Sequence, residues 1–268
     1  MSFALVLAGG GVTGIAWETG LLLGLREAGV HVAPDLVIGT SAGSAVGAQL
    51  LSGVDLGELY ARQIADEHRE LTPELDLEQL IALFSEVGDI TGGLTRELRV
   101  KVGAFAKTAA TVSVETRRDV IAWRLPSPTW PSVDLKVTAV DADTGELVVL
   151  DRNSGVELID AVAASCAVPG VWPPVPLLGR LLMDGGMRSV TNLDLAQGCS
   201  EVLVLVPLAG AGMTRVSTEA DALRALGATV TVIVADEEGT AAMAGNPLDP
   251  SLRRPAAEAG RRQGRLGL

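Results

Sequence analysis

Short aliphatic runs and glycine clusters alternate at the start of the chain, and the alternation predicts its first elements. Residues 3–8, FALVLA, are apolar throughout and stop at glycines, as a strand buried on both faces does. Over residues 14–28 the apolar side chains Ile15, Trp17, Leu21, Leu22 and Leu25 fall at helical spacing, and Gly29 ends the pattern. Residues 36–38 read as a second buried strand, and residues 42–51 as a helix with small side chains suited to close packing. Strand, glycine loop, helix, strand, turn, helix is the opening of a parallel α/β sheet with right-handed crossovers.

Residues 55–125 break this rhythm. They are charged and helical in period, acidic over 55–89 and basic over 96–118, without a clear strand. The pattern predicts a helical insertion packed over the sheet; a merely solvated helical surface is the plainer alternative. Strand patterns return at 134–140 and 146–150, joined by a turn over 141–145 as a hairpin, and again at 180–183, 201–206 and 229–234. Helices are expected over 157–165, 218–226 and part of the tail. No repeat or low-complexity linker divides the chain, so residues 1–268 are expected to form one α/β domain with a helical, cap-like insertion at about 55–125.

Composition narrows the possible partners. With 48% hydrophobic and 20% charged residues the chain is globular, and a net charge of −12 argues against nucleic acid. Cys166 and Cys199 cannot build a disulfide framework, and no Cys/His cluster has zinc-like spacing. Residues 36–54 and 161–179 are uncharged and nearly long enough to span a bilayer. The first is rich in glycine and hydroxyl residues, and the second carries Pro169, Pro173, Pro174 and Pro176, so neither reads as a membrane helix. No basic residue precedes Arg26, and the basic region of a signal peptide is missing. The expectation is a soluble, cytoplasmic protein.

Two glycine motifs carry candidate chemistry. Gly9-Gly10-Gly11-Val12-Thr13-Gly14 follows a strand and opens a helix, so its amides and the helix dipole offer an anion site. A dinucleotide-binding reading of this loop wants an acid at the C-terminal end of the second strand; Asp35 lies at the other end. That position holds Gly39-Thr40-Ser41-Ala42-Gly43 instead. The spacing fits a nucleophile elbow, where glycines two positions either side let a sharp turn expose the serine. The alternative is a small residue in a tight turn. With both motifs at one sheet edge, the arrangement suggests acyl transfer: the hydroxyl attacks a carbonyl and the amides hold the oxyanion.

A base for Ser41 is harder to find. His31 precedes the second strand, and a strand of about five residues sets it some 15–17 Å from the opposite edge. His68 lies in the charged stretch ADEHRE and reads as solvated. Asp184 closes the run RLLMD and is followed by Gly185 and Gly186, which would let a backbone approach closely; an ordinary turn is the alternative. Asp141, Asp143 and Asp151 fit turns better. An aspartate serves as a general base only if burial or tight geometry improves it.

These three ordered motifs resemble the patatin-like phospholipase family, and the match runs from Leu5 to about Asn192. Ser165, Ala167 and Pro169 also fit that family's Ala-Ser-x-Ala-x-Pro segment. The resemblance implies a three-layer α/β/α sandwich with a mostly parallel sheet and a Ser–Asp dyad that needs neither histidine nor metal nor cofactor. By it Ser41 is the nucleophile, Asp184 the base, and the amides of Gly9, Gly10 and Gly11 the oxyanion hole. Gly14, Gly39, Gly43, Gly185 and Gly186 complete the motifs. The implied substrate is a lipid acyl ester. Thr13 departs from the pattern, since many relatives carry a basic residue there, and this leaves neutral lipid, lysolipid or a simple ester open. The segment 172–178 fits core packing, or the lining of an acyl groove. Acidity of the chain predicts only transient, mostly hydrophobic contact with a membrane surface. An acyltransferase, a nucleotide-binding module and a catalytically silent relative remain as other readings.

Overall fold

The structure is a computed structural model that describes residues 2–73, 94–208, 210 and 212–267. Strand β1 (Phe3–Leu7) shows why three layers form: Leu5 and Leu7 join one buried cluster, while Ala4 and Val6 join another. Such alternation is how a strand buries both faces. Helices α1 (Gly11–Glu27) and α2 (Ala42–Leu50) contribute to the first cluster. Across the sheet, the second cluster is closed by the short 3-10 turn Leu193–Ala196 and a long helix at Met213–Ala225. The protein is a three-layer α/β/α sandwich.

Parallel pairing joins β1 to β2 (Leu36–Thr40) on one side and to a strand at Glu201–Val206 on the other, which in turn pairs in parallel with Thr229–Val234. Next to β2 lies β3 (Asp134–Asp141), also parallel, which forms the expected hairpin with β4 (Leu147–Leu150). Helix Leu158–Ser165 follows. An edge strand, β5 (Val175–Leu177), is unforeseen in the proline-rich segment; it pairs antiparallel with β6 (Arg180–Asp184).

The placement of β6 matters most. It pairs antiparallel with β3 at Ala139–Asp184, Val140–Met183 and Asp141–Leu182. Over Val137–Val140 the opposite edge of β3 is taken by β4, so β2 and β6 share one edge of β3. Strand β2 stops where Thr40 meets Thr138, and β6 descends from above to Asp184 beside Ala139. The two strands therefore meet head-on.

The described part of the insertion carries the helices α3 (Leu56–Ile64), α4 (Arg96–Ala106) and α5 (Val114–Arg124), with irregular chain at 65–73 and 107–113. Its acidic middle, 74–93, lies outside the described residues. The tail holds more structure than its composition suggests. The later elements are α6 (Leu158–Ser165), β7 (Glu201–Val206), α7 (Met213–Ala225), β8 (Thr229–Val234), α8 (Glu237–Ala242) and α9 (Arg253–Gly264). Helix α9 lies against α1 through glycines: a Cβ at Gly20 would stand 2.1 Å from the Ala257 carbonyl oxygen, and one at Gly260 2.2 Å from that of Trp17. Arg261 and Arg265 then close on Glu27 at the end of α1.

Candidate active site

Ser41 stands between β2 and α2 with φ 52° and ψ −115°, a backbone state that non-glycine residues rarely hold. The surroundings over-determine it. Its amide donates to Ser165 Oγ at 2.9 Å, and its carbonyl accepts from Ser44 Oγ at 2.7 Å and from Cys166 Sγ at 3.3 Å. The flanking glycines are needed for closeness: a Cβ at Gly43 would lie 2.1 Å from the Leu7 carbonyl oxygen, and one at Gly39 2.5 Å from Ser44 Cα. Strained, buried to 8% exposure and locked from several sides, the turn aims one hydroxyl into a small hollow.

Asp184 arrives from the opposite direction on β6. Its amide donates to the Ala167 carbonyl at 3.0 Å, so the segment 165–167 grips both Ser41 and Asp184. Gly185 permits the approach to β3, since a Cβ there would lie 2.4 Å from Thr138 Oγ1. The amide of Gly186 donates to Asp184 Oδ1 at 2.7 Å, whereas Oδ2 is buried and, among the described residues, has no partner. Burial pushes the Asp184 carboxyl up to about 6, against the opposing pull of the Ser41 hydroxyl, the Gly186 amide and the Arg117 charge. Ser41 is close enough to exert that pull, yet no hydrogen bond of normal geometry closes between the two side chains. Catalytic hydrogen bonds are often long before substrate binds.

Asn192 sews the junction together, and sequence reasoning missed it. In a left-handed conformation (φ 49°), it is fully buried and its Nδ2 donates to Thr40 Oγ1 at 3.0 Å, Thr138 Oγ1 at 3.2 Å and the Ser189 carbonyl at 2.9 Å. Strands β2 and β3 and the loop after Asp184 are thus tied at one amide.

The first glycine loop needs a correction. The Gly9 amide donates to the Val190 carbonyl at 2.8 Å and is not free to hold an oxyanion. Gly10 and Gly11, and Ala42 at the head of α2, donate to no described acceptor. Helix α1 begins at Gly11, so the loop's last glycine, Gly14, is already helical. Thr13 is buried, with Oγ1 donating to the carbonyls of Gly10 and Pro247, and residues 247–248 pack over Gly11.

The remaining candidates are scattered. His31 and His68 are exposed and line no part of the Ser41 hollow. Asp35 accepts from the Phe3 amide at 2.8 Å, at the far sheet edge. Asp141 and Asp151 hold turns by accepting from the amides of Asp143, Thr144 and Asn153. Trp172 is buried and lines the hollow, while Val175–Leu177 serves as edge strand.

A three-layer sandwich that presents a serine on a strained strand-to-helix turn, opposite a buried carboxyl, defines the class. Residues 5–196 match the profile of the family described as patatin-like phospholipase, and the chain belongs to that family. Uncharacterized NTE family proteins of Mycobacterium bovis and Mycobacterium tuberculosis are each 30% identical over 206 residues, covering 75% of this chain and 28% of the relative. The chain thus spans little more than a quarter of the length of these curated relatives. Similar solved structures include VipD from Legionella pneumophila, with a TM-score of 0.45 and 15% identity over 98% of this chain and 66% of that one. Another is the type III effector protein ExoU, with a TM-score of 0.42 and 18% identity over 98% and 52%. Family membership supports lipid hydrolysis as the general class of activity. No helix among the described residues is long and apolar enough to cross a membrane.

Proposed function

We propose that the chain is a serine lipid acyl hydrolase in which Ser41 is the nucleophile, Asp184 its base, and the amides of Gly10 and Gly11 the oxyanion donors. The observation that carries this reading is a buried Asp184 carboxyl, one oxygen of which meets no described partner, close enough to the strained Ser41 to feel its hydroxyl, with both histidines elsewhere. A carboxyl at about 6 is largely ionised at neutral pH and is a better proton acceptor than an ordinary aspartate.

The Ser41 hydroxyl attacks the ester carbonyl carbon while its proton passes to Asp184 Oδ2. Backbone amides hold the tetrahedral oxyanion. As the C–O bond to the alcohol breaks, the leaving oxygen takes that proton, and the acyl group stays on Ser41. A water then gives a proton to Asp184 and attacks the acyl carbon; the fatty acid departs as Ser41 regains its hydrogen. Residues 55–125 act in this reading as a cap within one domain, and among the described residues α5 reaches the hollow through Arg117 and Arg124.

The test is labelling with a fluorophosphonate, located by peptide mass spectrometry, together with hydrolysis of short- and long-chain p-nitrophenyl esters. The reading expects a label on Ser41, release of free acid, and loss of both signals in Ser41→Ala. A label on another residue, or none, removes it.

A further inference from the structure

Helix α5 brings a cation into the Ser41 hollow that none of these steps uses. Arg117 is buried, and its guanidinium carbon lies 4.0 Å from the centroid of the Trp172 ring. Both side chains line the hollow alongside Ser41, Ala42 and Gly11. Among the described residues, Nε and Nη1 of Arg117 find no acceptor. A buried guanidinium whose donors meet no protein acceptor is costly to the fold, because desolvated donors are worth little until something accepts from them. The neighbouring Arg124 shows the satisfied case: Glu70 accepts from its Nε at 3.0 Å and its Nη2 at 2.6 Å. Burial and repulsion from Arg124 pull Arg117 down to about 10, which still leaves it charged at neutral pH.

The sign of the wider pocket agrees. A cavity of about 260 Å³ adjoins the hollow, sharing Val12, Ile15 and Arg124 with it, and adds Arg62 and Arg253. Across the two linings four arginines face one glutamate, Glu70, in a chain whose net charge is −12. The lining stays net positive even with an ionised Asp184 counted beside Arg117, and low-dielectric walls of one net sign focus the field on an incoming ligand of the other. Thr13 leaves the first loop without a cation; Arg117 supplies one from a different element.

The geometry points to Arg117 as the residue that recognises an anionic oxyacid group on the substrate, so that the preferred ester carries a phosphate or carboxylate near its scissile carbonyl. This rests on Ser41 as the nucleophile. Arg117, held over the Trp172 ring, meets the anion with charge-assisted hydrogen bonds, which also satisfy its own unmet donors.

Three esters with one acyl chain separate the sources: 1-acylglycerol, its 3-phosphate, and the corresponding acylglycerate, with inorganic phosphate as a competitor. Wild type is expected to favour an anionic ester over the neutral one. Arg117→Gln should lose about 10- to 100-fold more kcat/KM on that ester than on 1-acylglycerol, chiefly through KM, and Arg117→Lys should recover part of it. Competition by inorganic phosphate marks a phosphate site, and a preference for the acylglycerate a carboxylate site. Binding of the non-hydrolysable 1-alkylglycerol 3-phosphate to Ser41→Ala, read by calorimetry with and without Arg117→Gln, needs no chemistry. Binding that Arg117→Gln weakens supports a phosphate site even if Ser41 labelling fails. Thermal melting checks the variants; should the Gln form not fold, the wild-type preference and Arg117→Lys decide. Equal losses on all esters, or no anionic preference in wild type, overturns the inference.

Discussion

Ser41 and Asp184 each carry a local cost that the surroundings must offset. At Ser41 it is a positive-φ turn; at Asp184 it is a buried carboxyl with one oxygen that meets no described partner. The second has a pH signature. A carboxyl raised in the folded state to about 6, from a usual 3.8, contributes stability that is fully present below about pH 3.8 and is lost as pH rises through 6. Asp184→Asn should therefore be more stable than wild type above pH 7, by up to about 3 kcal/mol, with the gain fading as pH falls through 6 and almost gone at pH 4; denaturant titrations at pH 4 and pH 8 measure it. Activity runs the other way. Because the base must be ionised, kcat/KM should rise with pH through about 6 and level off, and a profile flat from pH 5 to 8 would contradict the role. Ser41 was legible because its glycines sit two positions either side. Arg117 was not: in a charged helix it reads as solvated, and its burial depends on Trp172, far along the chain.

At the scale of elements, the site exists because β2 and β6 end against one another along the same edge of β3. The aliphatic runs made most of the strands readable, and an Asp at the end of RLLMD singled out Asp184 as a candidate. The sequence expectation placed Asp184 at the same sheet edge as Ser41 without foreseeing an antiparallel, end-to-end meeting. That geometry depends on long-range pairing, which local periodicity does not encode. For the same reason Asn192 was hidden, since SVTN has the composition of a loop. Asn192→Ala removes the shared donor to Thr40 and Thr138 and should cost about 2–4 kcal/mol by thermal or chemical melting. It should also lower kcat more than an equally destabilising change at a distant core position; equal effects would make it a purely structural residue. Gly9 was misjudged in the same way, because Val190 takes its amide from a segment remote in sequence.

The chain is acidic overall, with a net charge of −12, and arginine-rich at its pocket, so long-range and short-range electrostatics oppose one another. Repulsion from an anionic bilayer is screened by salt, while contacts inside a buried pocket are not. Turnover on anionic vesicles should rise as the Debye length falls from about 30 Å at 0.01 M salt to about 8 Å at 0.15 M, and turnover on zwitterionic vesicles should change little. A fall on anionic vesicles would mean that the surface attracts them. The fold class was readable from the βαβα opening, but the tail was not: α9 is polar on average, and only its small residues against α1 reveal the match.

The pairing of Ser41 with a carboxyl rather than an imidazole is most directly tested by comparing kcat/KM on one ester for Asp184→Asn and His68→Ala. The account predicts a loss of about 10²- to 10⁴-fold for Asp184→Asn and wild-type turnover for His68→Ala. Retained activity in the first with loss in the second would contradict it.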